Sequence, residues 1–502
     1  MTALNTPEAR RAAFAAQQKQ WRAQAVERME QAATRWDKWV LTTIILERFL
    51  TRLFSDKLGL LPGWANFLDY PFLILFAVYV FVTSSHRRKS PQASGFGFLI
   101  LALSANIAIS ALLNLSRLHP GAFFLFIVGF LEPLVYMLLA YALTPRKETV
   151  ELLVKVLFLV GWLQIAVVVL MDLPTFFETR NPDFISGTFG ENPYQMVFYL
   201  LTWNVLILSS KPAYRMRTVW LIGVMIMQGV ILAIILLAQF RAIIPFAAIT
   251  WVITGVLVTR RRSQALLTGV FSLIIFAGLF LAINRMFPEL KYNDFFELAD
   301  RSDEVVNSGK VQAILNFGEL ISEQPQILVF GAGPGTYASR GFRTFSFEGK
   351  GDLANQIYRE VFKTDYYITD LAAKYVLPTA ELFAFGSATT AVPWFSYLAI
   401  PAELGLPGFF LIIALYIRTI LKASKLVYEE HKLAVLARWV VVSMVLLLQM
   451  AFLENWLENS RLTVPVWVVF GVVLSQIRQE ESVETKLRSS IRSKPGFGYK
   501  QV

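Results

Sequence analysis

The chain has 502 residues and no cysteine. Disulfides, cysteine metal sites and thiol catalysis are therefore excluded. Histidine is almost as scarce, with only His86, His119 and His431, so a histidine-rich metal centre is not expected either. Charge is the third shortage. Asp, Glu, Lys and Arg make up 17% of the chain, where a soluble domain carries roughly 25%. The first thirty-odd residues lack an apolar core, so they do not read as a cleaved signal peptide. The sequence contains no internal repeat and no low-complexity stretch.

What fills the chain instead is apolar. Hydrophobic residues make up 55% and aromatic residues 14%, including 41 Phe. They gather in runs long enough to cross a bilayer. In lipid a backbone must satisfy its own hydrogen bonds, so the runs are expected to be helices. The weakest, Trp39 to Phe54, contains Glu47, Arg48 and Arg52. Stronger runs follow over Phe67 to Val82, Phe96 to Leu115, Phe123 to Leu143, Leu152 to Met171 and Met196 to Leu208. Four further segments cover Val219 to Ala238, Ile243 to Val258, Ala265 to Ile283 and Tyr397 to Ile417. Ala434 to Phe452 and Leu462 to Ile477 complete the set. The expected fold is an all-α polytopic membrane protein of about 12 transmembrane helices.

The net charge of +11 is distributed by loop. Arg87-Arg88-Lys89, Arg146-Lys147, Lys211 to Arg217, Arg260 to Arg262, Arg418 to Arg438 and the tail with Lys486, Arg488, Arg492 and Lys494 fall in alternate loops. The loops between them carry about one cation each. This is the positive-inside pattern, which places both termini in the cytoplasm and makes the number of spans even. It accounts for the positive charge without nucleic acid. Five segments result: an amphipathic cytoplasmic stretch 1–35, helices one to nine over 36–284, an extracytoplasmic loop 285–393, three more helices over 394–478, and a basic tail 479–502. The loop is too long for a passive connection. Helical periodicity through Val306, Ala313, Ile314, Phe317 and Ile321 predicts a folded cap containing helices.

Four features carry candidate chemistry. Gln239-Phe-Arg241 breaks two apolar runs so briefly that Arg241 must sit near the outer membrane surface. A guanidinium fork there can hold phosphate oxygens in a bidentate way, or snorkel to lipid headgroups. The loop Pro174 to Tyr194 brings Glu178, Arg180, Asp183 and Glu191, with the turn Gly187-Thr-Phe-Gly-Glu-Asn-Pro193. The large loop supplies Arg301, Lys310, Arg340 and Arg343 around the turn Gly331-Ala-Gly-Pro-Gly335. That turn lacks the spacing of a dinucleotide fingerprint. Glu403 lies inside the apolar run that begins at Tyr397. A carboxylate there costs about 2.5–3.5 kcal/mol on insertion scales, so it is expected to face a polar cavity or to pair with a neighbouring arginine or backbone. Glu454, Glu458 and Arg461 lie in the last short loop, where they either close the same cavity or are simply solvated.

Over Leu152 to Ile477 the order of these pieces resembles the O-antigen ligase and O-antigen polymerase superfamily. The resemblance rests on the Gly187 to Pro193 loop, the hairpin at Arg241, and Ser308-Gly-Lys310 leading to Gly331-Ala-Gly-Pro-Gly335. It is completed by Tyr397-Leu…Ala-Glu403-Leu-Gly-Leu-Pro-Gly408. It implies a metal-independent membrane glycosyltransferase that needs no cofactor and works at the outer face of a bacterial inner membrane. The donor would be a glycan on undecaprenyl pyrophosphate, and other polysaccharide-assembly proteins would be partners. Arg241 and Glu403 become the implied catalytic residues, with Arg180, Arg301, Lys310, Arg340 and Tyr397 binding substrate. The chain departs from the ligase pattern twice. Lys310 stands where an arginine is common, and Trp394 where a histidine is expected to activate the acceptor. Glu403, Asp365 and Asp370 are then the candidate bases. The rival readings are a membrane transporter, or a non-catalytic family member in an export complex.

Overall fold

A computed structural model describes residues 36–84, 95–143, 147–190, 193–210, 218–238, 309–346, 353–363, 367–378, 394–428 and 432–492, with scattered positions between 246 and 286. Among the described residues the regular structure is entirely helical. Among the described residues six helices are long and apolar enough to cross a membrane: Gly95–Leu113, Pro120–Ala142, Glu148–Thr179, Ser396–Ser424, Lys432–Met450 and Ser460–Arg478. Two shorter apolar helices, Asp69–Thr83 and Ile222–Leu237, accompany them. The expected spans Ile243 to Val258 and Ala265 to Ile283 fall largely outside the described residues, as do residues 1–35.

The helices are labelled in chain order: α1 (36–52), α2 (Asp69–Ser84), α3 (Gly95–Leu113), α4 (Pro120–Ala142), α5 (Lys147–Val167), α6 (Leu173–Thr179), α7 (Pro193–Ser210) and α8 (Thr218–Leu237). Helices α9 (Gly309–Glu323), α10 (Ile327–Phe330), α11 (Arg340–Ser346), α12 (Leu353–Phe362) and α13 (Asp370–Tyr375) form a cap, and α14 (Ser396–Ser424), α15 (Lys432–Met450) and α16 (Ser460–Arg492) return to the bundle. Helix α16 lies along α4, with Gly471 so close to the Met137 carbonyl that a Cβ would sit 2.4 Å from it. Helix α15 packs on α7, and α14 on α3. The outward faces stay apolar: Phe98 is 70% exposed on α3 and Leu101 69%. Water would penalise such surface, whereas lipid tails match it.

One end of the bundle is marked by charge pairs. Lys38 meets Glu148, Lys432 meets Glu151 at 3.0 Å, and Arg478 donates to the Tyr141 hydroxyl at 2.7 Å. The cap sits at the other end, beside the Asn114 to Gly121 turn, where Arg117 pairs with Asp370 at 3.2 Å. The cap has its own apolar core of Leu320, Tyr337, Phe342, Leu371, Trp394 and Leu398, among others.

Helix α1 carries Arg48 into the bundle interior, 2% exposed. The guanidinium bonds Asp69 of α2 at 2.7 Å and Glu132 of α4, and lies 3.3 Å from Glu47. Those carboxylates explain how so polar a helix packs inside an apolar bundle, because an unpaired charge is strongly penalised by burial.

Candidate functional site

Three loops converge at the cap end, and each is fixed by a buried carboxylate or amide. The first lies between α10 and α11. Helix α14 is broken at Gly405, where φ is +72°. The break frees carbonyls that a continuous helix would have bonded internally. The glycine turn takes them up: Ala332 N–H donates to the Ala402 carbonyl at 2.8 Å and Gly333 N–H to the Glu403 carbonyl at 3.2 Å. Ser110 Oγ of α3 also donates to the Glu403 carbonyl, at 2.8 Å. This close approach requires glycine at Gly331, where φ is +74° and a Cβ would lie 2.1 Å from the Glu403 carbonyl oxygen.

The Glu403 side chain completes the same joint. One carboxylate oxygen accepts the backbone N–H groups of Tyr337, Ala338 and Ser339, each at 2.9 Å, and the other accepts Gly335 N–H. The residue is fully buried. A run of convergent amides is a ready anion cradle, and here the anion comes from the protein itself. Glu403 therefore pairs with neighbouring backbone, the second of the two environments expected for it, and does not line the polar cavity described below.

The second loop joins α15 to α16. Its Leu453 carbonyl accepts a hydrogen bond from Lys310 Nζ at 2.6 Å, and Asn455 Nδ2 donates to the Ala338 carbonyl at 2.7 Å. Glu458 accepts the Arg340 backbone N–H at 2.6 Å. Burial and the nearby Glu403 hold the Glu458 carboxyl well above the usual carboxylate range. Lys310 is itself buried, 5.1 Å over the Phe395 ring. Burial pulls its amine down to about 8, against the raising effect of Glu454.

The third loop follows α6. Asp172 meets Lys57 and accepts the N–H groups of Ser186 and Gly187 at 2.9 and 2.7 Å. Gln164 grips Thr188 through its backbone N–H and its hydroxyl. The turn predicted over Gly187 to Pro193 thus delivers Tyr194 and Gln195 at the start of α7.

Between these loops lies a cavity of about 330 Å³. Arg52, Tyr194, Gln195, Arg340, Arg343, Thr344, Glu454, Asn455, Trp456 and Asn459 line it. Arg340 and Arg343 stand three apart on α11 and are both exposed. That spacing puts them on one helix face. Three guanidinium groups with one half-buried carboxylate suit an anionic ligand that also presents a proton to remove. Among the described residues no three His, Cys, Asp or Glu side chains are grouped to hold a metal ion.

Of the residues expected to bind substrate, Arg340 lines the cavity. Lys310 lies behind it, fastening the loop that carries Glu454. Arg180 caps α6 in the left-handed region, φ +58°, exposed and 5.8 Å over the Phe177 ring, and is not part of the lining. Tyr397 donates its hydroxyl to the Leu448 carbonyl at 2.6 Å, tying α14 to α15. Arg241, Arg301 and Asp365 lie outside the described residues. Asp370 is taken by Arg117. Trp394, where a histidine was expected, packs in the cap core 6.2 Å from Phe342. Sequence reasoning did not single out Arg52, Tyr194, Gln195, Asn455, Trp456 or Asn459 as a site. The local signals available were the Arg340-x-x-Arg343 spacing and Glu454 in the last short loop, which does line the cavity.

Comparison of the chain with protein-family models, with curated proteins and with solved structures gives no match. Fold and site define a class: an all-α protein whose apolar helices suit a lipid bilayer, with an arginine-lined cavity under a helical cap.

Proposed function

We propose that the protein is a glycan polymerase or ligase of a bacterial inner membrane, using a polyprenyl-pyrophosphate-linked glycan as donor. The observation that carries the reading is the cavity whose lining includes Arg52, Arg340, Arg343 and Glu454. The pyrophosphate would lie against the three guanidinium groups, whose planar forks match phosphate oxygens. The acceptor hydroxyl attacks the anomeric carbon, the bond from that carbon to the pyrophosphate oxygen breaks, and Glu454 takes the hydroxyl proton. Fixed cations lower the barrier because negative charge grows on the leaving group as the bond breaks. Glu454 replaces Glu403 as the base in this scheme, since Glu403 is committed to four backbone amides.

The sidedness of charge supports an outward-facing cavity. Lys432, Arg438 and Arg478 gather at the end of the bundle opposite the cap, which the positive-inside rule assigns to the cytoplasm. Both termini would then be cytoplasmic and the cap extracytoplasmic.

The purified protein in lipid vesicles, given a polyprenyl-pyrophosphate glycan and an acceptor, should transfer glycan without a membrane gradient. Arg340→Ala and Arg343→Ala should each slow transfer by about tenfold or more, the weight of a charge-assisted hydrogen bond. Wild-type transfer in the double variant would remove the assignment. Accumulation of intact glycan inside the vesicles, with no transfer, would favour a transporter.

A further inference from the structure

Between Glu323 and Arg340 the chain carries no Asp, Glu, Lys or Arg. This uncharged stretch holds α10 and the glycine turn. Most of it is buried, including all of residues 331–339. Two large apolar side chains are left out: Val329 is 51% exposed and Phe330 43%. The polar side of the cap lies elsewhere, where Glu323 and Lys374 pair at 2.7 Å with both side chains exposed.

Helix α10 reaches past the end of the bundle. A Cβ on Gly405, inside the span of α14, would lie 2.5 Å from the Val329 carbonyl oxygen. From the last turn of α3, Ser110 bonds the Glu403 carbonyl, and Asn114 Nδ2 donates to the Gly331 carbonyl at 3.2 Å. Ser110 stands one turn short of Leu113, where α3 ends. At a rise of about 1.5 Å per residue, the joint lies about 5 Å inside the end of an apolar span.

We propose that α10 is embedded in the lipid leaflet at the cap end of the bundle, with Val329 and Phe330 against acyl chains. The exposed pair continues a surface that already faces lipid. Leu406 and Phe410 are exposed four apart on α14, as are Leu112 and Leu113 on α3, and α10 packs on both helices. The backbone is prepared for the same medium. The first turn of a helix ordinarily leaves its N–H groups to water, which the acyl region does not supply. Here the N–H groups of Ile327 to Gly331 all reach carbonyls of Gln324 to Ile327, at 2.8–3.1 Å. Those of Ala332 and Gly333 reach α14. The cap is then held by acyl chains as well as by the Glu403 joint, whichever side of the membrane it occupies.

The test uses the full chain in lipid vesicles. An aryl diazirine dissolved in the acyl region is photolysed on the unaltered protein, with glutathione outside to quench carbene in water. Mass spectrometry maps the label. Val329 and Phe330 should be labelled as Leu112 is, while Glu319 and Glu323 on the polar face of α9 stay clear. Because the chain has no cysteine, Val329→Cys, Phe330→Cys, Leu112→Cys and Glu319→Cys each provide one thiol for a nitroxide. Oxygen concentrates in acyl chains and a nickel chelate in water. The ratio of their collision rates at positions 329 and 330 should match that at 112 and exceed that at 319. Chelate access as at 319, with no diazirine label, would place α10 in water and overturn the embedding. Protection from both reagents would mean that protein covers this face, from a second copy or another segment of the chain, and would overturn it equally.

Discussion

Replacing Glu403 with glutamine tests whether this carboxylate is scaffold or chemistry. In the native joint one oxygen takes three backbone N–H groups and the other takes Gly335 N–H. Glutamine has a single acceptor oxygen. If that oxygen keeps the three amides, its NH2 group points at Gly335 N–H, donor against donor. The Gly335 amide is then buried unsatisfied, at about 1–3 kcal/mol. The three retained bonds fall from charge-assisted to neutral, losing roughly 1 kcal/mol each. Removing a buried charge offsets part of this loss, because its desolvation is no longer opposed to folding. The expected net destabilisation is about 2–4 kcal/mol. It should appear as a lower apparent melting temperature in detergent, followed by tryptophan fluorescence, and as faster protease cleavage of the cap, because the Gly331 to Ser339 turn is what anchors the cap to α14. A Glu403→Gln variant with unchanged melting, an intact cap and no glycan transfer would refute the reasoning, since only a chemical role could then explain the loss.

Lys310 should give the protein a pH-dependent stability above neutrality. Its folded amine titrates near 8, while an unfolded lysine does so near ~10.4. Across that window the unfolded chain binds the extra proton, so stability rises with pH, by roughly 3 kcal/mol in total. Melting profiles of Lys310→Met should lack this rise, and a wild-type profile in that variant would exclude the buried amine. Gly331→Ala should undo the docking of the cap, because its Cβ would overlap the Glu403 carbonyl and φ is positive. Protease resistance of the cap measures this, and a resistant variant would contradict the geometry. Arg48→Met should cost about 3–5 kcal/mol by leaving Asp69 and Glu132 buried without their cation. Adding Glu132→Gln should restore part of the lost thermal stability, and no recovery would argue against the charge cluster as the cause.

The helices themselves were legible because hydropathy is a local property. A run such as Phe123 to Leu143 needs no knowledge of its neighbours to be an apolar helix, and α4 occupies Pro120–Ala142. The glycine turn was legible for the same reason, since the density of Gly and Pro marks a turn wherever it occurs. A charge inside an apolar run announced that Glu403 needs a partner, but not which one. Its partners are backbone amides 64 to 68 positions earlier in the chain, and backbone amides have no sequence signature. Lys310 and Arg340 looked equivalent as loop cations. Tertiary packing separated them, burying one against Leu453 and exposing the other in the cavity. Arg52, Arg340, Arg343 and Glu454 come from three distant stretches of chain, so no local pattern could assemble them. The sequence by itself determined apolar helices and the order in which they occur, because burial in an apolar environment depends on composition over one turn or a few. Which charges meet, and which are left facing a cavity, was decided by the fold alone, because a charge's role depends on what long-range packing places within a few ångströms of it.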